Sequence, residues 1–181
     1  RKAQILQAAW ICFQREGLQL TTMEDIIRAS GLSAGAVYSY YASKDALIVA
    51  AVTTSLSGFA ALVAPVLQRA SAATPSDLFH SIVQVIDQFT VRDGYDLKRI
   101  AVLGWGEAQR NEGLRIVMRQ YYIEFRSQLS AALQSSRDKR SADAIAVTLL
   151  SLILGYIVQS SLLGDVTPQD VRDGLVDISI V

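Results

Sequence analysis

The sequence predicts an all-α protein: an N-terminal three-helix unit containing a helix-turn-helix, followed by a larger helical region. Three observations lead there. Only three prolines interrupt 181 residues, apolar residues recur at helical spacing along the whole chain, and start and stop signals divide it into segments of helical length. Hydrophobic residues make up 51% of the chain and mean hydropathy is +0.28. That is more apolar surface than a monomer of this size needs, which points to a buried subunit interface or an apolar pocket.

The first helix is expected from about Arg1 to Glu16, with Ile5, Leu6, Ala9, Cys12 and Phe13 as its apolar stripe and Gly17 as its stop. Thr21-Thr22-Met23-Glu24 reads as a capping box, in which the Thr21 hydroxyl accepts from the Glu24 amide and the Glu24 carboxylate reaches back. A short helix follows to about Ser30, then the turn Gly31-Leu32-Ser33. Ser33 caps a second short helix through Tyr41, and Ser43 caps a longer one that starts at Lys44. Thr74-Pro75-Ser76-Asp77 and Thr167-Pro168-Gln169-Asp170 share one start signal: Thr as cap, Pro at the first helical position, Asp in the first turn. Helices are therefore expected at about 44–70, 75–92, 96–108, 112–135 and 140–163, with the last from 168. Arg137-Asp138-Lys139-Arg140 reads as a surface loop.

Charge and reactive residues narrow the function classes. Seventeen basic residues balance seventeen acidic ones, so a nucleic-acid reading has to rest on local residues. The single cysteine, Cys12, excludes an intramolecular disulfide and reads as a small core residue. His80, the only histidine, has no partners for a metal site or a catalytic triad, and Gly104-Trp105-Gly106 is not followed by a phosphate-loop pattern. No enzyme, metal or cofactor is expected. Arg1-Lys2 lead into an amphipathic helix rather than a secretory signal, and the cytoplasm is the expected compartment.

The informative stretch is Thr21 to Leu47. Two short helices joined by a three-residue turn containing Gly form a helix-turn-helix, whose second helix can enter the DNA major groove. Ile26, Ile27, Leu32, Val37 and Tyr41 supply the contacts that fix it, and Ala29 permits close approach. Residues 1–47 carry five basic groups (Arg1, Lys2, Arg15, Arg28, Lys44) against four acidic ones (Glu16, Glu24, Asp25, Asp45), a net of +1. The hydroxyls say more. Ser33, Tyr38, Ser39, Tyr40, Ser43 and Lys44 crowd one short segment, and such donors are the usual partners of phosphate oxygens. Ala34, Gly35 and Ala36 offer little side chain, so the helix start can sit deep in a groove, where alanine can touch a thymine methyl. A helical hairpin that only packs fits the same pattern.

The pattern Thr21-Thr22-x-x-x-Ile26, Ala29-x-Gly31-Leu32-Ser33-x-Gly35-x-x-Tyr38-x-Tyr40-Tyr41-x-Ser43-Lys44-Asp45-x-Leu47 resembles the DNA-binding signature of the TetR family. Ile5-Leu6-x-Ala8-Ala9-x-x-x-Phe13-x-x-x-Gly17 resembles its first helix. The resemblance implies a DNA-binding domain over 1–47 and a helical ligand-binding and dimerisation domain over 48–181. It also implies a homodimer on a palindromic operator, with repression the commoner mode. By that resemblance Thr22, Tyr38, Tyr40 and Lys44 anchor phosphates, Ser33 to Ala36 and Tyr38 face base edges, and Ser39 belongs to the same surface. Two positions depart from the family: Tyr41 stands where Phe is usual, and Ala34 where Lys is common.

Ala144 to Leu163 carry no charge, and a helix apolar nearly all round lies in a core, an interface or a membrane. Thr148, Ser151, Gly155 and Gln159 make a small, polar stripe among Ile145, Leu149, Leu152, Tyr156 and Ile157, which favours a core or interface over a membrane. Ser151 and Gly155 are the natural crossing points for a partner helix. In TetR-like proteins the last two helices pair with their twofold mates, so Leu149, Ser151, Leu152, Gly155, Tyr156 and Gln159, with Val171, Leu175 and Ile178, are expected at a dimer interface. Phe59, His80, Phe89, Trp105, Tyr121, Tyr122 and Phe125 are either ordinary aromatic core or the lining of an effector pocket.

Overall fold

The computed structural model describes the backbone of residues 1–70, 74–92, 97–134 and 137–178, and their side chains except those of 89–92, 97 and 176–178. The helices are α1 (Lys2–Leu20), α2 (Met23–Ser30), α3 (Ala34–Tyr40), α4 (Lys44–Arg69), α5 (Pro75–Arg92), α6 (Leu97–Ala108), α7 (Glu112–Leu133), α8 (Lys139–Leu162) and α9 (Pro168–Ile178), with no strand among the described residues. Most start where their local signals place them. The Ser43 hydroxyl accepts from Ala46 N at 3.1 Å, and the Thr74 hydroxyl accepts from Asp77 N at 3.1 Å. At α9 the Asp170 carboxylate accepts from Thr167 N at 2.8 Å, and the Thr167 hydroxyl accepts from Asp170 N at 3.3 Å. The helical path of α1 breaks at Gly17, where φ is +81°, a conformation that glycine adopts without a Cβ clash. One more turn follows the break.

Three local expectations are corrected. The capping box of α2 is Thr22 with Asp25, not Thr21 with Glu24. Thr21 is fully buried, and its hydroxyl donates to Gly17 O at 2.8 Å and Cys12 O at 3.2 Å, so it serves the end of α1 instead. Arg137 to Arg140 is only partly loop: Asp138 is the cap of α8, accepting from Ser141 N at 3.1 Å, and Lys139 begins the helix. Ala29 is exposed, and the residue that meets α1 is its neighbour Ser30, whose carbonyl accepts from Gln4 Nε2 at 2.7 Å.

The chain divides into two compact units, Arg1–Leu56 with Arg99–Arg119, and Ser57–Lys98 with Gln120–Val181. The first therefore takes in most of α6 and the start of α7, beyond the 1–47 expected for the N-terminal part. Its core includes Ile5, Trp10, Phe13, Ile26, Val37, Leu47, Ile48, Leu114 and Met118. The core of the second is built by Leu78, Phe79, Ile82 and Ile86 of α5, Leu129 and Leu133 of α7, and Ala142, Ala146, Leu149, Ile153 and Tyr156 of α8.

Candidate nucleic-acid interface

In the first unit α2 packs on α1, and α3 follows through a turn whose hand is set by Gly31, at φ +67° and ψ 15°. A β-carbon is strongly disfavoured there. Ile26, Val37 and Tyr41 are buried, Ile27 and Leu32 half-buried, so the inner face of α3 is held by the apolar set read from the sequence. Tyr41 lies in the core as expected. Its hydroxyl is buried without a hydrogen-bond partner among the described residues, and burial raises its pKa.

The other face of α3 is open. Ser33, Ala34, Gly35 and Ser39 are exposed, Ala36 is half-buried, and Tyr38 and Tyr40 are 49% and 48% exposed. The Ser33 hydroxyl accepts from Ala36 N at 3.3 Å, and Ser39 Oγ donates to Ala36 O at 2.7 Å. Both serines thus turn back on the helix, leaving the tyrosines as its largest outward groups. Beyond the adjoining residues and the local helix backbone, no atom of the described residues lies within 4 Å of where a Gly35 β-carbon would stand.

Thr22 and Lys44 flank this face, each with an internal partner. The Thr22 hydroxyl donates to Asp25 Oδ2 at 2.6 Å and its backbone N–H donates to the same oxygen at 3.0 Å. The Thr22 hydroxyl, with the backbone N–H behind it, lowers the Asp25 pKa. A phosphate at Thr22 would have to compete with that carboxylate. Lys44 Nζ donates to Gln19 O at 2.9 Å. The Gln19 side chain in turn donates to Glu107 Oε2 at 2.5 Å, and Arg110 Nε and Nη2 donate to that same oxygen at 3.0 and 2.9 Å. Gln19 and Glu107 carry no sequence signal, since nothing local announces that α1 and α6 share a contact.

In the second unit the structure brings four of the seven candidate pocket residues together. Tyr121 stacks on Phe125 with centroids 6.1 Å apart, and the Phe59–Phe125 and Tyr121–Tyr122 pairs meet edge-on at 6.0 and 5.5 Å. The Tyr121 hydroxyl is buried with no hydrogen-bond partner among the described residues. His80 pairs with Gln84 across 2.9 Å, Trp105 falls in the first unit, and the Phe89 side chain lies outside the described residues. Two surface grooves are described here, one of about 350 Å³ along α4 and α7 (Ala64, Leu67, Gln128) and one of about 420 Å³ along α7 and α8 (Ile123, Asp143, Val147). Neither is lined by any of the seven.

The expected interface residues separate into two groups. Leu149 and Tyr156 are each only 2% exposed and belong to the chain's own core, which corrects their place in the interface. Tyr156 Oη lies 2.9 and 2.8 Å from the two carboxylate oxygens of Asp87, which also pairs with Lys98 Nζ at 2.5 Å. Ser151 and Gln159 are exposed, and Leu152, Gly155, Val171 and Leu175 are half-buried; the Ile178 side chain lies outside the described residues. Val147 and Thr148 extend the exposed stripe. The hydroxyls of Thr148 and Ser151 donate to Ala144 O and Val147 O at 3.1 and 3.0 Å, so both are turned back on their own helix. By length and composition both α4 and α8 could cross a membrane, whereas only α8 stands out in the sequence reading. No cluster of metal-ligating residues occurs among the described residues.

Comparison with known proteins bears on both halves. Residues 5–51 match the family described as bacterial regulatory proteins, tetR family, and residues 82–177 match the BetI-type transcriptional repressor C-terminal family. The chain is 30% identical over 179 residues to the uncharacterized HTH-type transcriptional regulator YfiR of Bacillus subtilis (strain 168), covering 94% of this chain and 84% of that one. It is 26% identical over 169 residues to the HTH-type transcriptional regulator BetI of Rhizobium meliloti (strain 1021), covering 90% and 78%. Among solved structures, a transcriptional regulator from Pseudomonas aeruginosa PAO1 superposes with a TM-score of 0.79 at 22% identity, over 98% of this chain and 88% of that one.

Proposed function

Because the chain belongs to the TetR family of bacterial regulatory proteins, a family of DNA-binding transcription regulators, we propose that it acts as a repressor. On this reading it binds a palindromic operator as a homodimer and is released by a small, largely apolar effector. The observation that carries the reading is the outward face of α3: two half-exposed tyrosines beside a glycine with open space in front of it. Tyrosine hydroxyls donate to phosphate or to base edges, and a missing side chain lets a duplex come close. Tyr38 and Tyr40 are the proposed contacts, with Lys44 as a phosphate anchor, Ser33 to Ala36 at base edges, and Ser39 and Thr22 at the margin.

The homodimer reading rests on α8. In its uncharged stripe Val147, Ser151 and Gln159 are exposed and Gly155 half-buried among the described residues, and a partner's α8 would cover it. Two reading heads are needed because operator half-sites lie about 34–36 Å apart. The effector reading is supported by the buried Tyr121 hydroxyl in its aromatic cluster, a polar handle of the kind small-molecule sites carry.

Mobility shift against genomic fragments is the test. Retention of discrete fragments, raised transcription from them when the chain is deleted, and release by an apolar compound that also raises its melting temperature would each support one part. A chain that retains no fragment would overturn DNA binding, and falling transcription on deletion would overturn repression.

A further inference from the structure

We infer that Gln19 and Glu107 are positioning residues for the DNA contact made by Lys44. The inference rests on the reading of Lys44 as a phosphate anchor, and concerns how its ammonium is aimed.

Lys44 opens α4, where the positive end of the helix dipole disfavours a cation. Its ammonium instead reaches Gln19 O at 2.9 Å, among the last carbonyls of α1, the negative end of another helix. An ammonium has three donors, so this bond leaves two for a phosphate and fixes their direction. The carbonyl that aims Lys44 belongs to the last turn of α1, beyond the break at Gly17, and one terminal turn past a break has little stiffness of its own. It is held from the other side. The Gln19 amide donates to Glu107 Oε2 at 2.5 Å, and Glu107 is only 6% exposed, its charge matched by the two Arg110 donors at 3.0 and 2.9 Å. Glu107 thus anchors Gln19, and Gln19 aims Lys44.

The test is a double-mutant cycle on binding to a mixed-sequence duplex, which reports phosphate contacts alone. Lys44→Ala should weaken binding and reduce the slope of log K against log salt by about one. Gln19→Ala, at an exposed position, and Glu107→Ala should each weaken binding about threefold to tenfold in the wild-type background. In the Lys44→Ala background they should add less than about twofold, because the group they aim is gone. Glu107→Gln, which keeps an acceptor for the Gln19 amide, should retain more affinity than Glu107→Ala. Unchanged binding by Gln19→Ala, or losses that multiply in the double variant as a merely structural defect would, overturns the inference. If Lys44→Ala leaves affinity and slope unchanged, the reading of Lys44 falls and takes this inference with it. If Glu107→Ala does not fold, the Gln19→Ala cycle decides alone.

Discussion

Among the described helices that leave a glycine facing open space, α3 and α8 do so in different company. Beyond the adjoining residues and the local helix backbone, no atom of the described residues lies within 4 Å of a β-carbon built on either Gly35 or Gly155. Glycine inside a helix costs roughly 0.5–1 kcal/mol relative to alanine, and the chain's own packing requires neither residue. Around Gly35 the exposed groups are Tyr38, Ser39 and Tyr40; around Gly155 they are Val147, Ser151 and Gln159, with Leu162 beyond. The first setting suits a polyanion studded with acceptors. The second has its hydroxyls turned back on their own helix and suits another apolar surface. A gap in the side-chain layer permits close approach, and the side chains around it decide what can approach.

The largest effect should come from Gly155→Leu. The new β-carbon meets nothing within 4 Å beyond its own stretch of helix among the described residues, so the fold should survive while crossing helices are pushed apart. Sedimentation should show the mass falling from twice 19.7 kDa to 19.7 kDa, and operator affinity should drop about 100-fold or more as the two heads cease to act together. A dimeric, fully competent variant would break the α8 half of the comparison. Gly35→Ala should move two measurements in opposite directions. Unfolding free energy should rise by about 0.5–1 kcal/mol, while DNA binding weakens by about 1–3 kcal/mol where the new methyl meets the duplex. Unchanged binding would mean that nothing approaches α3 there.

Tyr38→Phe sharpens the polar side of the contrast. Loss of one hydroxyl contact should cost about 0.5–1.5 kcal/mol on the specific operator, and equal affinity would remove Tyr38 from the contacts. Tyr41→Phe is its inward counterpart. The Tyr41 hydroxyl is buried and unpartnered among the described residues, so its removal should stabilise the fold by about 1 kcal/mol without changing DNA affinity.

The smallest effect concerns acid. Asp25, Asp77, Asp138 and Asp170 each have a lowered pKa, chiefly because a threonine or serine hydroxyl at a helix start donates to them. A folded-state pKa below the unfolded one gives stability that is present above the ordinary carboxylate pKa of about 4. It is lost as pH falls through the depressed folded value. Stability measured across that range should therefore decline on the acid side, with amide exchange in the first turn of α2 rising early. Asp25→Asn should flatten part of the decline, and an unchanged profile would show that Asp25 adds nothing to it.

The reading head was far more legible than the body. Ser33, Ser43, Pro75 and Pro168 start helices, and Gly17 and Gly31 end helical runs, because these residues act through hydrogen bonds and backbone angles within about one turn. The capping register of α2 was missed because two threonines precede two acids, Thr21-Thr22 and Glu24-Asp25, and both pairings satisfy the local rule. Burial of Thr21 settled it. Leu149 and Tyr156 were misplaced for a different reason: a helix apolar on nearly every side does not say which side faces its own core. The aromatics of the second unit carried no positional signal either, since a phenylalanine suits a core and a pocket equally well.

By itself, then, the sequence determined where helices begin, that α3 is small and hydroxyl-rich, and that α8 is uncharged, since each property lives in consecutive residues. Only the tertiary structure decided that Gln19 meets Glu107 across a separation of 88 residues, or that Tyr156 turns inward to Asp87 across 69. The energy of a buried polar group depends on its partner, and these partners come from different helices that only folding sets side by side.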